Sequence, residues 1–173
     1  MTYLLRKISH SKWECNKGRT PDNISADAIT GCTRTSNNTL SVWVSDSTDF
    51  QDESVEKIIV ALATTMSEPA TIDLVWLDSQ WFEDKGIDIL RTEGNTLYKS
   101  VNHLHRDLSE LNHRKLAEVG EHILEQLKSK GSYKRILKSE LIALVFKWQQ
   151  RDGDFDIDDL GQKWSKSLSK LIN

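Results

Sequence analysis

The chain has 173 residues, of which 38% are hydrophobic and 28% charged, and its net charge is −3. This length supports one ordinary core and is too short for two full domains, while the hydrophobic content excludes a disordered chain. The sequence contains no run of 18 apolar residues, which a membrane span would need. Its opening segment lacks the apolar stretch of a signal peptide. We therefore expect a cytoplasmic protein without membrane association.

The first 100 residues show a pattern of strands alternating with helices. Strands are predicted at about residues 2–8, at TLSVWVSD and at TIDLVWLD, where apolar side chains alternate or run continuously. Helices are predicted after the N-cap candidate Ser25 and over DESVEKIIVALATTM, whose apolar residues recur every three or four positions. GIDILRTEG is a candidate for one more short strand. Residues 1–100 are thus expected to form a small sheet of about three strands with packed helices.

The remaining residues show mainly helical periodicity. Apolar side chains recur at helical spacing over 101–111 and, one residue out of phase, over 116–127, which predicts one long helix with a shift or two helices. Two further helices are predicted from Tyr133 to Trp148 and from Leu160 to Leu171. The predicted fold class is α+β, with a sheet region at 1–100 and a helical region at 101–173 forming one cooperative unit.

A group of acidic residues in the middle of the chain raises the question of a Mg²⁺-dependent nuclease or other hydrolase. In such enzymes carboxylates hold the metal, and a nearby lysine positions the attacking water. The three-residue pattern Glu83-Asp84-Lys85 is short enough to occur often by chance. The segment SQWFEDKG that contains it is typical of a turn or short helix. The alternative catalytic set consists of Asp73, Asp78, Glu83, Lys85 and His103.

Other catalytic and binding signatures are absent from the sequence. It contains no GxSxG elbow and no glycine-rich phosphate loop, and Cys15 and Cys32 lack the spacing of a metal site. The leading interpretation therefore includes no cofactor and no metal. The basic residues from Lys128 to Arg135 are typical of a solvated helix end. Recognition of nucleic acid by these residues is a third hypothesis, which no basic stripe in the sequence supports.

The two C-terminal helices carry the best candidates for an interface. Their apolar faces include Trp148 on one helix and Trp164, Leu168 and Leu171 on the other, and tryptophan is enriched at the centres of interfaces. The same residues can equally cover the chain's own core. As an interface they would bind a protein partner or a second copy of the chain.

Two stretches, MTYLLRKISHSKW and TRTSNNTLSVW, resemble the openings of small accessory proteins from bacterial toxin–antitoxin and anti-phage operons. In these systems a small subunit accompanies a larger effector or ATPase. The resemblance covers the first 45 residues, includes no catalytic motif and transfers no functional residue. It implies a partner-dependent role in antiviral defence, and we expect a non-enzymatic accessory subunit that docks through its amphipathic C-terminal helices.

Overall fold

The structure is a computed structural model that describes residues 2–20, 23–33 and 35–172. Six strands form one sheet: β1 (Tyr3–Ile8), β2 (Leu40–Ser45), β3 (Ile72–Asp78), β4 (Ile89–Arg91), β5 (His105–Leu108) and β6 (Tyr133–Ile136). Their order across the sheet is β4-β5-β2-β1-β3-β6, and each neighbouring pair is antiparallel. Strand β1 therefore lies inside the sheet between β2 and β3.

Helices cover both faces of this sheet. The α-helices are α1 (His10–Glu14), α2 (Ala26–Cys32), α3 (Glu53–Thr64), α4 (Ser79–Asp84), α5 (His113–Lys128), α6 (Lys138–Asp152) and α7 (Gln162–Ile172). Two 3-10 helices span Lys99–Leu104 and Ile157–Asp159. Of the helices that the structure describes, none combines the length and the apolar character needed to cross a membrane.

The core consists of two apolar clusters separated by the sheet. One cluster joins the sheet to α3, α6 and α7, and the other joins it to α1, α2, α4 and α5. Leu4 and Leu5 are both completely buried and belong to different clusters, because successive side chains leave a strand on opposite faces. A sheet covered on both faces requires strands that are apolar on both faces, which explains the nearly continuous apolar run of β3.

Several helices begin at a side chain that caps them. Asp52, Asp78 and Asn112 precede α3, α4 and α5, and each accepts a backbone N–H from the first turn at 2.9–3.0 Å. Helix α6 ends at Gly153, whose φ of 61° is in the left-handed region that glycine adopts without strain. These local signals agree with helix boundaries that the sequence indicates.

The predicted small sheet of about three strands is wrong. The sheet has six antiparallel strands, and helices occur along the whole chain, with α1 to α4 all before residue 100. The three strands predicted from the sequence are present as β1, β2 and β3, and the candidate short strand is β4. The prediction missed β5, which lies beyond β2, and β6, which lies beyond β3.

Both missing strands lie in the segment 101–173, which was predicted to be helical. The 101–111 segment forms a 3-10 helix followed by β5, which pairs with both β2 and β4. Residues 133–136 form β6, which pairs with β3, and the helix begins only at Lys138. The physical reason is that β2 and β3 need hydrogen-bond partners on their second sides, and this tertiary demand overrides a helical spacing of apolar residues.

Candidate functional site

A cleft of about 470 Å³ lies where the end of β1 and the beginning of β3 meet α1, α2 and β6. We call it the basic pocket, because its lining includes two permanent cations on different strands, Arg6 on β1 and Arg135 on β6. Its charged and polar side chains are Arg6, Lys7, Ser9, His10, Ser11, Thr71, Asp73 and Arg135. The turn from β1 into α1 supplies most of them, so the pocket depends on the local course of residues 6–11.

The guanidinium of Arg6 is held in place from two sides. Its Nη1 donates to the carbonyl oxygen of Ser41 on β2 at 2.6 Å, and its Nη2 donates to that of Cys32 at the end of α2 at 2.9 Å. The Nε is buried without a hydrogen-bond partner. Burial lowers the pKa of Arg6 to about 10, so the side chain still carries its charge at neutral pH.

Lys7 follows Arg6 on β1 and leaves the strand on the opposite face, which is the face of Leu5. Partial burial of its amino group, together with the charge of Arg6, lowers the pKa of Lys7. Among the residues that the structure describes, no carboxylate lies within ion-pair distance of either cation. On the face of the sheet that carries Asp73, the charge of Arg6 thus lacks a compensating group.

The opposite wall of the pocket is a closed polar cluster around Asp73. Arg135 donates to both of its oxygens, from Nε at 2.8 Å and from Nη2 at 3.3 Å, and the hydroxyl of Tyr133 donates to Oδ1 at 2.5 Å. The Tyr133 ring stacks on His10 with centroids 5.0 Å apart. The two side chains that donate to the Asp73 carboxylate, Tyr133 and Arg135, both belong to β6 at the edge of the sheet.

These bonds fix the charge state of the wall. Burial alone would raise the pKa of Asp73, but the hydrogen bonds from Arg135 and Tyr133 outweigh it and hold that pKa below its ordinary value. Burial and the same carboxylate raise the pKa of Tyr133 to about 12. Asp73 is therefore an ionised acceptor whose charge Arg135 cancels, and the pocket keeps the charge of Arg6.

Of the alternative catalytic set, only Asp73 lines the basic pocket. Asp78 lies five residues further along β3, about 17 Å away at the rise of a strand and on the other face. It caps α4, and its backbone N–H donates to Nε2 of the buried His122 at 3.1 Å. Burial lowers the pKa of His122, and its bond to the backbone of Asp78 ties α5 to the end of β3.

The other members of that set lie elsewhere on the surface. Glu83 and Lys85 are exposed in and just after α4, and the Lys85 amine lies 5.5 Å from the centre of the Trp81 ring. His103 is exposed in the 3-10 helix before β5, a strand three positions across the sheet from β3. Over residues 2–20, 23–33 and 35–172, no three His, Cys, Asp or Glu side chains are grouped to hold a metal ion.

Three of the four candidate interface residues occupy core positions. Trp148, Trp164 and Leu168 have no exposed surface, whereas Leu171 is 48% exposed. The indole of Trp164 donates to the carbonyl oxygen of Met66 at 2.8 Å. The apolar faces of α6 and α7 are thus used to cover the chain's own sheet and α3.

Trp148 is also the centre of a second group of cations, which we call the matched cluster. Lys57, Lys147 and Arg151 lie 4.7–5.2 Å from the centre of its ring. Each has its own carboxylate: Lys57 bonds Asp152 at 2.8 Å, Lys147 bonds Glu56 at 2.5 Å, and Arg151 bonds Glu53. The indole N–H donates to Glu56 at 2.9 Å, and the Tyr98 hydroxyl donates to Asp152 at 2.5 Å.

Neither Arg6 nor Lys7 is among the residues predicted from the sequence, and Arg135 was named only as the end of the basic run from Lys128. A signal for the first two was present, because TYLLRKI places two adjacent cations inside an otherwise apolar strand. A buried strand normally excludes unpaired cations. Arg135 had no such signal, since it was assigned to a helix, and its approach to Asp73 depends on the pairing of β6 with β3.

Comparisons with protein-family models, with curated proteins and with solved structures find no match to this chain. We therefore infer function from the geometry and the charges of the basic pocket and of the matched cluster.

Proposed function

We propose that the chain is a non-catalytic binding subunit whose basic pocket receives an anionic group of its ligand. The observation that carries this proposal is Arg6, a cation without a carboxylate partner among the described residues, in a cleft with room for a small molecule. Placing a charge in a partly dehydrated site without a counter-charge is unfavourable. A bound anion would remove that cost, which gives the pocket a physical reason to bind one.

The hydrogen-bonding groups of the pocket support the same role. Arg6 is already oriented by its two carbonyl contacts, so little conformational freedom is lost when an anion binds. Hydrogen bonds from a guanidinium or ammonium group to an oxyanion are about twice as strong as neutral ones. Asp73, the one carboxylate of the pocket, has both oxygens engaged by Arg135 and Tyr133, which favours a structural role for it over that of a general base.

A partner-dependent role for this subunit is a further part of the proposal. The two stretches that resemble accessory proteins of defence operons contain β1 and most of α1 and β2, and thus the turn that lines the basic pocket. Because the apolar faces of α6 and α7 pack inside the chain, we place recognition at the basic pocket. The partner would be a component of the same bacterial defence system that presents or exchanges the anionic ligand.

The proposal is tested by thermal unfolding of the purified chain with sulfate, phosphate or acetate, at constant ionic strength adjusted with chloride. A ligand that binds only the folded state raises the midpoint of unfolding in a concentration-dependent way. We expect a rise with at least one of these anions, and Arg6→Gln should abolish it. The rise is measured against each variant's own anion-free midpoint, because the loss of the Arg6 bonds to two carbonyl oxygens also changes stability.

The matched control is Lys134→Ala. Lys134 is an exposed cation on β6 next to Arg135, but it lines a different cleft, on the side of the sheet covered by α3 and α6. This variant should respond to anions like the wild type. If the midpoint is insensitive to all three anions, or if both variants lose the response equally, the basic pocket is not an anion site and the proposed function fails.

A further inference from the structure

Strand β4 forms one edge of the sheet, because it pairs only with β5. We propose that this edge binds an extended acidic segment of a partner protein as an additional strand, with a carboxylate opposite Arg91. The strands that line the basic pocket are β1, β3 and β6. The proposed interface is therefore a separate surface at the other end of the sheet.

The backbone of β4 has hydrogen-bonding groups that face away from the sheet. The N–H of Ser109 donates to the carbonyl oxygen of Asp88 at 2.9 Å, which continues the ladder of β4 and β5 by one hydrogen-bonded pair. Hydrogen-bonded pairs alternate with pairs whose N–H and C=O groups point outward. Leu90 therefore bonds β5, whereas the backbone groups of Ile89 and Arg91 point outward. Within the described part of the chain, no backbone group outside the sheet bonds them.

Two arginines face each other at this edge. Arg91 lies directly opposite Arg106 of β5, in a pair without ladder bonds, where the Cα atoms approach to about 4.5 Å. Like charges in such a pair destabilise a sheet. Nη1 of Arg106 donates to the carbonyl oxygens of His103 and His105 at 2.8 and 2.7 Å. Burial and the charge of Arg91 lower the pKa of Arg106. Over residues 2–20, 23–33 and 35–172, neither arginine has a carboxylate within ion-pair distance.

An acidic strand matches this edge on both faces. A residue opposite Arg91 on an added strand exchanges two backbone hydrogen bonds with it and points its side chain to the same face. A carboxylate at that position pairs with Arg91 and reduces its repulsion of Arg106. On the other face Leu90 is 47% exposed, so the next residue of the partner should be apolar. The matching segment thus alternates carboxylate and apolar side chains.

A second copy of this chain does not meet these requirements. Two β4 strands related by a two-fold axis at Leu90 would place Arg91 opposite Ile89 of the other copy. The two Arg91 side chains would then be diagonal neighbours, about 7–8 Å apart, and both Arg106 side chains would lie on the same face. A short, charged edge strand also resists pairing with most chains, so the sign of its charge selects the partner.

Fluorescence anisotropy of labelled peptides with the full chain tests this inference. The probe is a short peptide in which glutamate alternates with valine, and the charge control has lysine in place of glutamate. We expect the glutamate peptide to bind at least tenfold more tightly than the lysine peptide. Arg91→Glu should weaken binding of the glutamate peptide at least tenfold and strengthen binding of the lysine peptide. This variant should fold, because Arg91 is exposed and the substitution replaces a repulsion of Arg106 by an attraction.

The matched control is Lys134→Glu. It makes the same change of charge at an exposed position of β6, the opposite edge of the sheet. This variant should bind the glutamate peptide like the wild type. Equal losses in the two variants, or no binding of the glutamate peptide to the wild type, would overturn the inference.

Methylation of the peptide backbone separates strand pairing from charge attraction alone. In the proposed pairing, the N–H groups of the glutamates face β4 and those of the valines face solvent. Methylating the glutamate nitrogens should abolish binding, whereas methylating the valine nitrogens should preserve it. If both methylated peptides bind like the original, the edge attracts acidic chains without pairing and the inference fails.

A labelled single-stranded oligonucleotide of the same charge tests for a nucleic-acid site. If it binds as tightly as the glutamate peptide and Arg91→Glu weakens it equally, the two arginines form a general polyanion site and the inference is overturned. We expect its binding to be at least tenfold weaker. Each of these results is independent of the proposed function, which is measured with small anions and depends on Arg6.

Discussion

The molecule contains two groups of cations that differ in how their charges are balanced. In the matched cluster, Lys57, Lys147 and Arg151 surround Trp148, and each pairs with its own carboxylate. In the basic pocket, Arg6 and Arg135 share the single carboxylate of Asp73. The matched cluster has one carboxylate for each cation, whereas the basic pocket has fewer carboxylates than cations.

This difference teaches how a structural charge can be told from one available to a ligand. A cation that already pairs with a carboxylate binds a further anion only weakly, because that carboxylate repels the anion. A cation fixed by neutral carbonyl groups, such as Arg6, keeps its full charge for whatever enters the cleft. We therefore predict that the matched cluster stabilises the fold and that cations without a carboxylate partner do not.

The largest effect is expected at the centre of the matched cluster. Trp148→Ala removes a completely buried indole and its hydrogen bond to Glu56, and such truncations cost about 3–5 kcal/mol. Urea unfolding measures the loss. Leu171→Ala, at a half-exposed position of α7, should stay within about 0.5 kcal/mol of the wild type. Equal losses in the two variants would mean that Trp148 does not support the core.

An intermediate effect is expected at Asp152, which accepts bonds from Lys57 and Tyr98. The Lys57 amine and then the Tyr98 hydroxyl lower the pKa of Asp152 below its ordinary 3.8. Its contribution is therefore present above pH 3.8 and is lost as pH falls through the lower folded-state pKa. Asp152→Asn should cost about 1 kcal/mol at pH 7, and the difference from wild type should shrink at pH 2.

Urea unfolding at pH 7, 5 and 2 measures this difference. The free energies of unfolding of wild type and variant should differ by nearly the same amount at pH 7 and pH 5. At both pH values Asp152 is ionised in the folded state and in nearly all unfolded molecules. A difference that persists undiminished at pH 2 would show that the charge of Asp152 is not what stabilises the contact.

The smallest effect compares Lys147 of the matched cluster with Lys7, an exposed lysine without a carboxylate partner among the described residues. Lys147→Ala breaks the bond to Glu56, which is only 16% exposed, and should lower the free energy of unfolding by about 0.2–1 kcal/mol. Lys7→Ala removes a repulsion from Arg6 and should leave stability unchanged or slightly increase it. Parallel urea titrations at low salt measure both. A loss for Lys7→Ala as large as that for Lys147→Ala would show that pairing with a carboxylate is not what makes a cation stabilising.

The parts of the fold that the sequence predicted are those with a strong local signal. The strands β1 to β3 combine alternation with bulky side chains, and α3 has an aspartate cap, an acidic first turn and a regular apolar face. Strands β5 and β6 have only four residues each. Their sequences, HRDL and YKRI, contain too few apolar residues to show a period of two, and their pairing with β2 and β3 is a property of the assembled sheet.

The candidate site was predicted less well than the fold. Asp73 was selected as an acidic residue and lies in the basic pocket, but the sequence provided no way to know that Arg135, 62 positions later, bonds its carboxylate. Distance along the chain also made Asp78 look like a partner of Asp73. Their odd separation on one strand places them on opposite faces, an argument that needs the strand to continue to Asp78.

The central position of β1 has a consequence for synthesis on the ribosome. Both neighbours of β1 follow it in the sequence, and the second of them ends only at Asp78. At roughly 5–20 residues per second, a nascent chain carries this strand, apolar on both faces, without its full set of partners for about 4 to 14 seconds. We therefore expect efficient folding in the cell to depend on a chaperone that shields residues 3–8 until β3 has emerged.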